Sequence, residues 1–126
     1  MKSNTALLQR ASDAVSTTAD TIRLGGRLDA SCAKQFSRAV GRLADNRTPF
    51  VIIDLSATKA VDSSGFGALI SSFRRLAEVG AAAVVVCPNR GVRRLFNIAG
   101  VNRMIAIVER VSHARRLAPA ARALAS

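Results

Sequence analysis

The stretch FVIIDLSATKAVDSSGFGALI, residues 50–70, shows how a strand leads into a helix in this chain. Its first six residues, Phe50–Leu55, are almost continuously apolar and rich in β-branched side chains, which is typical of a strand covered on both faces. A short loop is predicted next. From Phe66 to about Val79, apolar residues recur at spacings of three and four, which predicts an amphipathic helix. Gly80 is well placed to end that helix.

Strand-like and helix-like segments alternate along the rest of the chain. Further strands are predicted at Thr21–Leu24 (ending in a turn or bulge at Gly25–Gly26), Ala83–Cys87 and Met104–Val108. A weak pattern at Ala6–Ala14 suggests an additional edge strand. Further helices are predicted at Ala30–Ala44, Gly91–Ala99 and Ser112–Leu124, the last broken or kinked at Pro119. This order predicts an α/β domain with a mostly parallel sheet and right-handed crossovers.

Length and composition narrow the class of protein. The chain has 126 residues, of which 49% are hydrophobic, so it is expected to form one domain with a real core. It has no apolar run of the roughly 20 residues that span a bilayer. Its first residues lack the apolar core of a signal peptide, which predicts a cytoplasmic protein. Cys32 and Cys87 lie far apart in the sequence and are expected to be buried thiols.

The net charge is strongly positive, with 19 Lys and Arg against 8 Asp and Glu, a balance of +11. Residues 88–126 hold eight basic residues and one acidic residue, so most of the excess lies in the last third of the chain. Such a charge raises the question of nucleic acid, an anionic membrane or an acidic partner.

Residue patterns for catalysis, metal binding or phosphate binding are weak. The single histidine, His113, has no catalytic partner beside it and is expected to be a surface or capping residue. No cluster of Cys, His, Asp and Glu has the spacing of a metal site. Gly65-Phe66-Gly67 lacks both the third glycine and the Lys-Ser/Thr of phosphate-binding loops. We therefore predict no enzyme activity, no cofactor and no metal.

Nucleic-acid binding also finds little support beyond the charge. Proteins that bind single strands usually expose aromatic rings for base stacking, but Trp and Tyr are absent and all five Phe are predicted to be core residues. The outward side of the predicted helix after residue 90 would carry polar residues that could reach phosphates or simply face solvent. These residues are Arg90, Arg93, Arg94 and Asn97, whereas Val92, Leu95, Phe96 and Ala99 are expected to face inward.

The polar stretch Asp62-Ser63-Ser64-Gly65 lies where a loop becomes a helix. Its simplest interpretation is helix capping, with Asp62 or Ser63 accepting hydrogen bonds from the first turn. Two hydroxyls and the glycines Gly65 and Gly67 exceed what a cap needs, and they leave a bare surface that another protein's active site could reach. A phosphate there would lie at the positive end of a helix dipole and would change the surface that a partner meets.

Four ordered blocks resemble a known family. They are LGGRLD at Leu24–Asp29, VIIDLS at Val51–Ser56, VDSSGFGAL at Val61–Leu69 and PNRGVRRLFNIAGV at Pro88–Val101. From about Thr21 to Arg116 the chain resembles the STAS domain, in particular the bacterial anti-sigma factor antagonists. Arg27 departs from the pattern, since the family often has an acidic residue there.

The resemblance implies a fold and domain boundaries. The fold is a right-handed βα superhelix with a mostly parallel sheet of four or five strands and about four helices. Residues 1–126 would form a single STAS domain with its core at about 21–116. Residues 1–20 would supply an edge strand or an arm, and residues 117–126 would end the C-terminal helix.

The resemblance also implies a partner switch. The unphosphorylated antagonist would bind an anti-sigma factor that is itself a serine kinase and would free the sigma factor. Phosphorylation of Ser63 would release the antagonist, and a PP2C-like phosphatase would reset it. The partner-binding residues implied by position are Asp29, Asp62, Ser64, Gly65 and Gly67. Two alternatives stay open: an accessory STAS subunit of an ABC lipid transporter, and a basic nucleic-acid-binding module.

Overall fold

A five-stranded sheet organises the part of the chain that the computed structural model describes, residues 15–117. Its strands are β1 (Val15–Thr18), β2 (Thr21–Leu28), β3 (Phe50–Val61), β4 (Ala82–Val86) and β5 (Ala106–Val108). The α-helices described are α1 (Ala30–Asp45), α2 (Ser63–Glu78), α3 (Arg90–Ile98) and α4, described over residues 111–117. The predicted α/β fold with a mostly parallel sheet is confirmed.

The strands lie side by side in the order of the sequence. Strands β2 to β5 are parallel, and β1 pairs with β2 in the antiparallel direction at the edge. Because parallel strands end on the same side, the carboxyl ends of β2, β3 and β4 all face one rim of the sheet. Helices α1, α2 and α3 begin at this rim, so residues far apart in the sequence meet there.

Strand β3 is much longer than its neighbour β4. Its first part, Phe50–Asp54, pairs with β4, whereas residues 57–61 pair only with the end of β2. The expected ends of the two strands at Leu24 and Leu55 are therefore wrong. Strand β2 passes through a bulge at Gly25–Gly26, one of the two outcomes predicted there, where Gly26 has a positive φ of 74°. The extension of β3 resembles a loop in sequence because much of it faces solvent.

Strand β3 contributes to a core on each face of the sheet, which explains its continuous apolar pattern. Val51, Ile53 and Leu55 join the larger core, which helices α1, α2 and α3 cover. Phe50 and Ile52 join the smaller core, where Ala114 of α4 packs. The interpretation of Phe50–Leu55 as a strand covered on both faces is confirmed.

Several predicted boundaries shift. The last strand starts at Ala106 rather than Met104, because Val101–Arg103 form a 3-10 turn that precedes it. The edge strand is β1. The weak pattern at Ala6–Ala14 lies outside the described residues, as do Pro119 and the rest of the helix predicted at Ser112–Leu124.

Two local predictions are confirmed. Gly80, with a φ of 74°, follows the end of α2. Cys32 and Cys87 are buried free thiols, and burial raises the pKa of Cys87. Within residues 15–117, the helices are too short or too polar to cross a membrane.

Phe36 tests the larger core, because its side chain is fully buried between α1 and the sheet. We expect Phe36→Ala to lower the free energy of unfolding by about 3–5 kcal/mol, since it removes buried area and leaves a cavity. Lys34→Ala on the exposed side of the same helix should change it by no more than about 0.5 kcal/mol. Urea denaturation measures both. Equal losses in the two variants would contradict this packing.

Candidate partner-binding site

Two aspartates stand side by side at the rim where β2 and β3 end. Leu28 of β2 is paired with Val61 of β3, so Asp29 and Asp62 follow at the same level. Asp29 Oδ1 accepts a hydrogen bond from the Ser31 amide N–H at 3.0 Å and caps α1. Asp62 Oδ1 accepts one from the amide N–H of the third helical residue at 2.8 Å and caps α2. Capping at Asp62 is therefore confirmed.

The electrostatics of this rim follow from the caps. Asp29 accepts hydrogen bonds from the Ser31 hydroxyl and from the Ser31 amide N–H. Both lower the pKa of Asp29, and the hydroxyl has the larger effect. Each carboxylate also lies at the positive end of a helix dipole. The negative charges of Asp29 and Asp62 are therefore partly offset by the N–H groups that they accept from.

Gly65 is required by a close backbone contact. A Cβ built at Gly65 would lie 2.0 Å from the carbonyl oxygen of Leu28. The amide N–H of Asp62 donates to that same oxygen at 3.2 Å. The first turn of α2 therefore packs directly on the backbone at the end of β2. Gly67 differs, because it is exposed and a Cβ there would meet nothing within 4 Å.

Ser63 and Ser64 are the first two residues of α2, and both are exposed. Neither hydroxyl makes a hydrogen bond to another residue of the described range 15–117. Only Ser63 lines the surface groove next to the helix. The two serines are thus both accessible, but they face different surroundings.

An apolar groove lies between the start of α2 and helix α3. It has a volume of about 320 Å³, and Ser63 and Asp62 form its polar side. Its apolar lining consists of Val61, Phe66, Leu95, Ile98 and Ala99. The ring of Phe66 stacks on the buried ring of Phe96, with centroids 6.0 Å apart. Leu95 is 45% exposed and Ile98 is 76% exposed.

The groove exists because β3 extends beyond the end of β4. Beyond Val86, the last residue of β4, the extension of β3 has no strand on that side, and α3 lies next to it instead. Asn89, the N-cap of α3, donates through Nδ2 to the carbonyl oxygen of Lys59 in the extension at 3.5 Å. A helix of nine residues covers only part of this edge, so its outer apolar residues stay exposed.

Several burial predictions for this region are wrong. Phe66 packs against the larger core, as its predicted core position implies, but it is only half-buried and also lines the groove. Leu95 and Ala99 were predicted to face inward, but both are exposed, and Arg93 is half-buried and pairs with Glu109 instead of facing solvent. Ile98, which lies outside the predicted inward face of α3, also lines the groove. The sequence does contain a sign of this exposure, because α3 carries more apolar residues than one narrow buried face can hold.

The sequence candidates for phosphate binding and for catalysis both lie within helices. Gly65-Phe66-Gly67 lies within α2 and forms no phosphate-binding loop. His113 is exposed on α4, as expected for a surface residue. Among residues 15–117, no three His, Cys, Asp or Glu side chains are grouped so that they could hold a metal ion.

A family model places this fold and this rim in a known group. The model of the STAS domain matches residues 13–114. The chain belongs to the STAS domain family. Its match covers all five strands and the groove.

Relatives of this STAS domain are named as anti-sigma factor antagonists. A Thermotoga neapolitana protein, named as a homologue of the anti-sigma factor antagonist TM1081, is 27% identical over 64 residues. That match covers 51% of this chain and 57% of the relative, so it spans little more than half of that protein.

Solved structures share the fold at low sequence identity. The TM1081 crystal structure from Thermotoga maritima has a TM-score of 0.69 at 20% identity, covering 81% of this chain and 90% of that one. The phosphorylated form of the Bacillus cell fate determinant SpoIIAA has a TM-score of 0.64 at 21% identity, covering 82% and 96%.

The two glycines of α2 give a matched test of the rim. Gly65→Ala should lower the free energy of unfolding by about 1–3 kcal/mol or more, because its Cβ would overlap the Leu28 carbonyl. Gly67→Ala should be neutral or stabilising by about 0.5–1 kcal/mol, because alanine favours an open helical position. Thermal and urea unfolding measure both. A Gly65→Ala variant as stable as Gly67→Ala would disprove the close contact.

Proposed function

We propose that this STAS domain is an anti-sigma factor antagonist controlled by phosphorylation of Ser63. Its unphosphorylated form binds an anti-sigma factor that is a serine kinase, and this binding frees the sigma factor. Phosphorylation of Ser63 weakens the complex and returns the anti-sigma factor to its target. The observation that carries the proposal is the exposed Ser63 hydroxyl at the first position of α2, beside an open groove.

Ser63 is favoured over Ser64 by its surroundings. Both hydroxyls are accessible, but Ser63 lines the groove with apolar residues of both helices. A phosphate there adds about −1.5 to −2 charges to the edge of a surface that is otherwise suited to an apolar partner. Transfer of that dianion into a protein interface requires desolvation, so the modification opposes binding.

The fold is expected to tolerate the phosphate. Ser63 lies at the N-terminus of a 16-residue helix, where the unpaired N–H groups and the helix dipole favour negative charge. The side chain is exposed, so no core contact is disturbed. The switch therefore changes the surface that the partner meets without requiring a change of fold.

The neighbouring residues form the proposed docking surface. Asp29 and Asp62 hold the starts of α1 and α2 in place and present oxygen atoms at the rim. Ser64 adds a second exposed hydroxyl. Gly65 lets the helix approach β2, and Gly67 keeps the next turn free of a side chain that would obstruct a partner.

The chemistry belongs to the partners in this proposal. The kinase supplies the nucleotide and transfers its terminal phosphoryl group to the Ser63 hydroxyl oxygen, and a PP2C-like phosphatase hydrolyses the resulting ester. The STAS domain itself acts as a substrate and a binding module, not as an enzyme, and we place it in the cytoplasm.

Phosphorylation can be tested with the purified serine-kinase anti-sigma factor of the same organism and ATP. We expect mass spectrometry of proteolytic peptides to find one phosphate, on Ser63. Ser63→Ala should abolish the modification, whereas Ser64→Ala is the matched control and should retain it. A phosphate on Ser64, or none on the wild-type chain, would contradict the proposal.

Binding provides an independent test of the same switch. We expect Ser63→Asp or the phosphorylated chain to bind the kinase at least tenfold more weakly than wild type, about 1.4 kcal/mol, in calorimetry. Ser64→Asp adds the same charge one residue further on and should weaken binding less. Equal affinities for wild type and the phosphorylated chain would refute release by phosphorylation.

A further inference from the structure

Helix α3 presents two adjacent stripes next to Ser63. Its apolar stripe contains Leu95 and Ile98, which line the groove, and the exposed Gly91 one turn before Leu95. Arg90 and Arg94 are spaced by four residues, so they form a second, basic stripe. Ile98 follows Arg94 by four residues, so the basic stripe and the apolar stripe meet at Ile98.

Within residues 15–117, the basic stripe lacks ion pairs and the apolar stripe is left exposed. Arg93 pairs with Glu109 and Arg115 pairs with Asp20, but neither Arg90 nor Arg94 makes an ion pair with any of residues 15–117. Helix α3 has no acidic residue of its own. Leu95 and Ile98 remain exposed, although apolar side chains of this size are usually buried.

We propose that this groove binds an acidic amphipathic segment of the kinase. A large apolar side chain of that segment enters the groove against Leu95 and Ile98, and Asp or Glu residues one turn away pair with Arg90 and Arg94. This inference rests on the proposed function and adds the chemistry of the partner segment. An apolar anchor at the centre with polar residues at the rim is common in protein interfaces, and complementary charges at the rim add specificity.

Phosphorylation of Ser63 acts on this arrangement directly. Ser63 lies on the groove, so the phosphate would stand where the apolar anchor enters. It would also face the carboxylates that the two arginines attract. An acidic partner therefore experiences both desolvation and charge repulsion, whereas a basic partner would be attracted to the dianion.

A protein segment fits the groove better than an anionic membrane does. The apolar residues line a concave groove of about 320 Å³, whereas membrane insertion needs apolar side chains that protrude. Binding to vesicles of phosphatidylcholine and phosphatidylglycerol in equal parts distinguishes a membrane from a protein segment as the partner of this groove.

The apolar contact is tested by Ile98→Asp, with Val79→Asp as the matched control. Val79 is also an exposed apolar residue, but it lies at the far end of α2, about 24 Å along the helix from Ser63. We expect Ile98→Asp to weaken kinase binding at least tenfold and to raise KM for Ser63 phosphorylation without changing kcat. Val79→Asp should alter neither. Ile98→Ala serves as a second variant if thermal unfolding shows that Ile98→Asp is poorly folded.

The charge contact is tested by Arg94→Glu against Arg38→Glu. Both residues are exposed on helices, and both substitutions change the net charge by the same amount. We expect Arg94→Glu to reduce affinity at least fivefold more than Arg38→Glu, because a local ion pair is lost in addition to long-range attraction. Equal effects would show that only the overall charge matters and would overturn the proposed pairing.

The partner segment itself can be identified by photocrosslinking from position 98. A photoreactive amino acid in place of Ile98 should crosslink one kinase peptide that has an apolar residue with Asp or Glu within one helical turn. A crosslinked peptide without acidic residues would overturn the proposal. Vesicle binding that depends on Ile98 and Arg94, with kinase binding that does not, would overturn it in favour of a membrane.

These outcomes separate the two levels of inference. If the wild-type chain neither binds the kinase nor is phosphorylated on Ser63, the proposed function fails. If the wild-type chain binds and is phosphorylated, but Ile98→Asp behaves like Val79→Asp, the groove proposal alone fails.

Discussion

The contact between Gly65 and the backbone of Leu28 fixes the position of the serine that we propose as the switch. No side chain fits between the first turn of α2 and the end of β2, and the Asp62 amide N–H binds the same carbonyl oxygen. The start of the helix is therefore held by backbone atoms, which have little freedom to rearrange. A side chain on the outer surface of that turn, such as Ser63, gains a defined direction without being buried.

A difference in strand length supplies the other half of the site. Strand β4 ends at Val86, while β3 continues with β2 towards the rim. Helix α3 covers part of the free edge, and the remaining space is the groove beside Ser63. The same extension of β3 places the start of α2 beyond the end of β4. The Ser63 site and the groove therefore both result from the length of β3.

The sequence predicts the regular parts of this structure well. The pattern of residues 50–79 predicts β3 and α2, and polar residues before the helix predict the cap at Asp62. The extension of β3 could not be predicted, because its solvent-facing residues resemble a loop. The exposure of Leu95 and Ile98 was also missed. Apolar periodicity shows which residues share a face but not how much of that face a neighbouring element covers.

The positive charge takes on a different meaning once α3 is placed. In the sequence, most of the charge lies far from the Ser63 block, but the fold brings α3 to the same groove. The acidic residues of the rim, Asp29 and Asp62, already accept N–H groups of their own helices. Arg90 and Arg94 lack comparable partners within residues 15–117, so the positive charge beside the groove is the part available to another molecule. A phosphate on Ser63 would oppose that local field more strongly than any carboxylate already present. One modification would therefore be enough to change which partner this surface accepts.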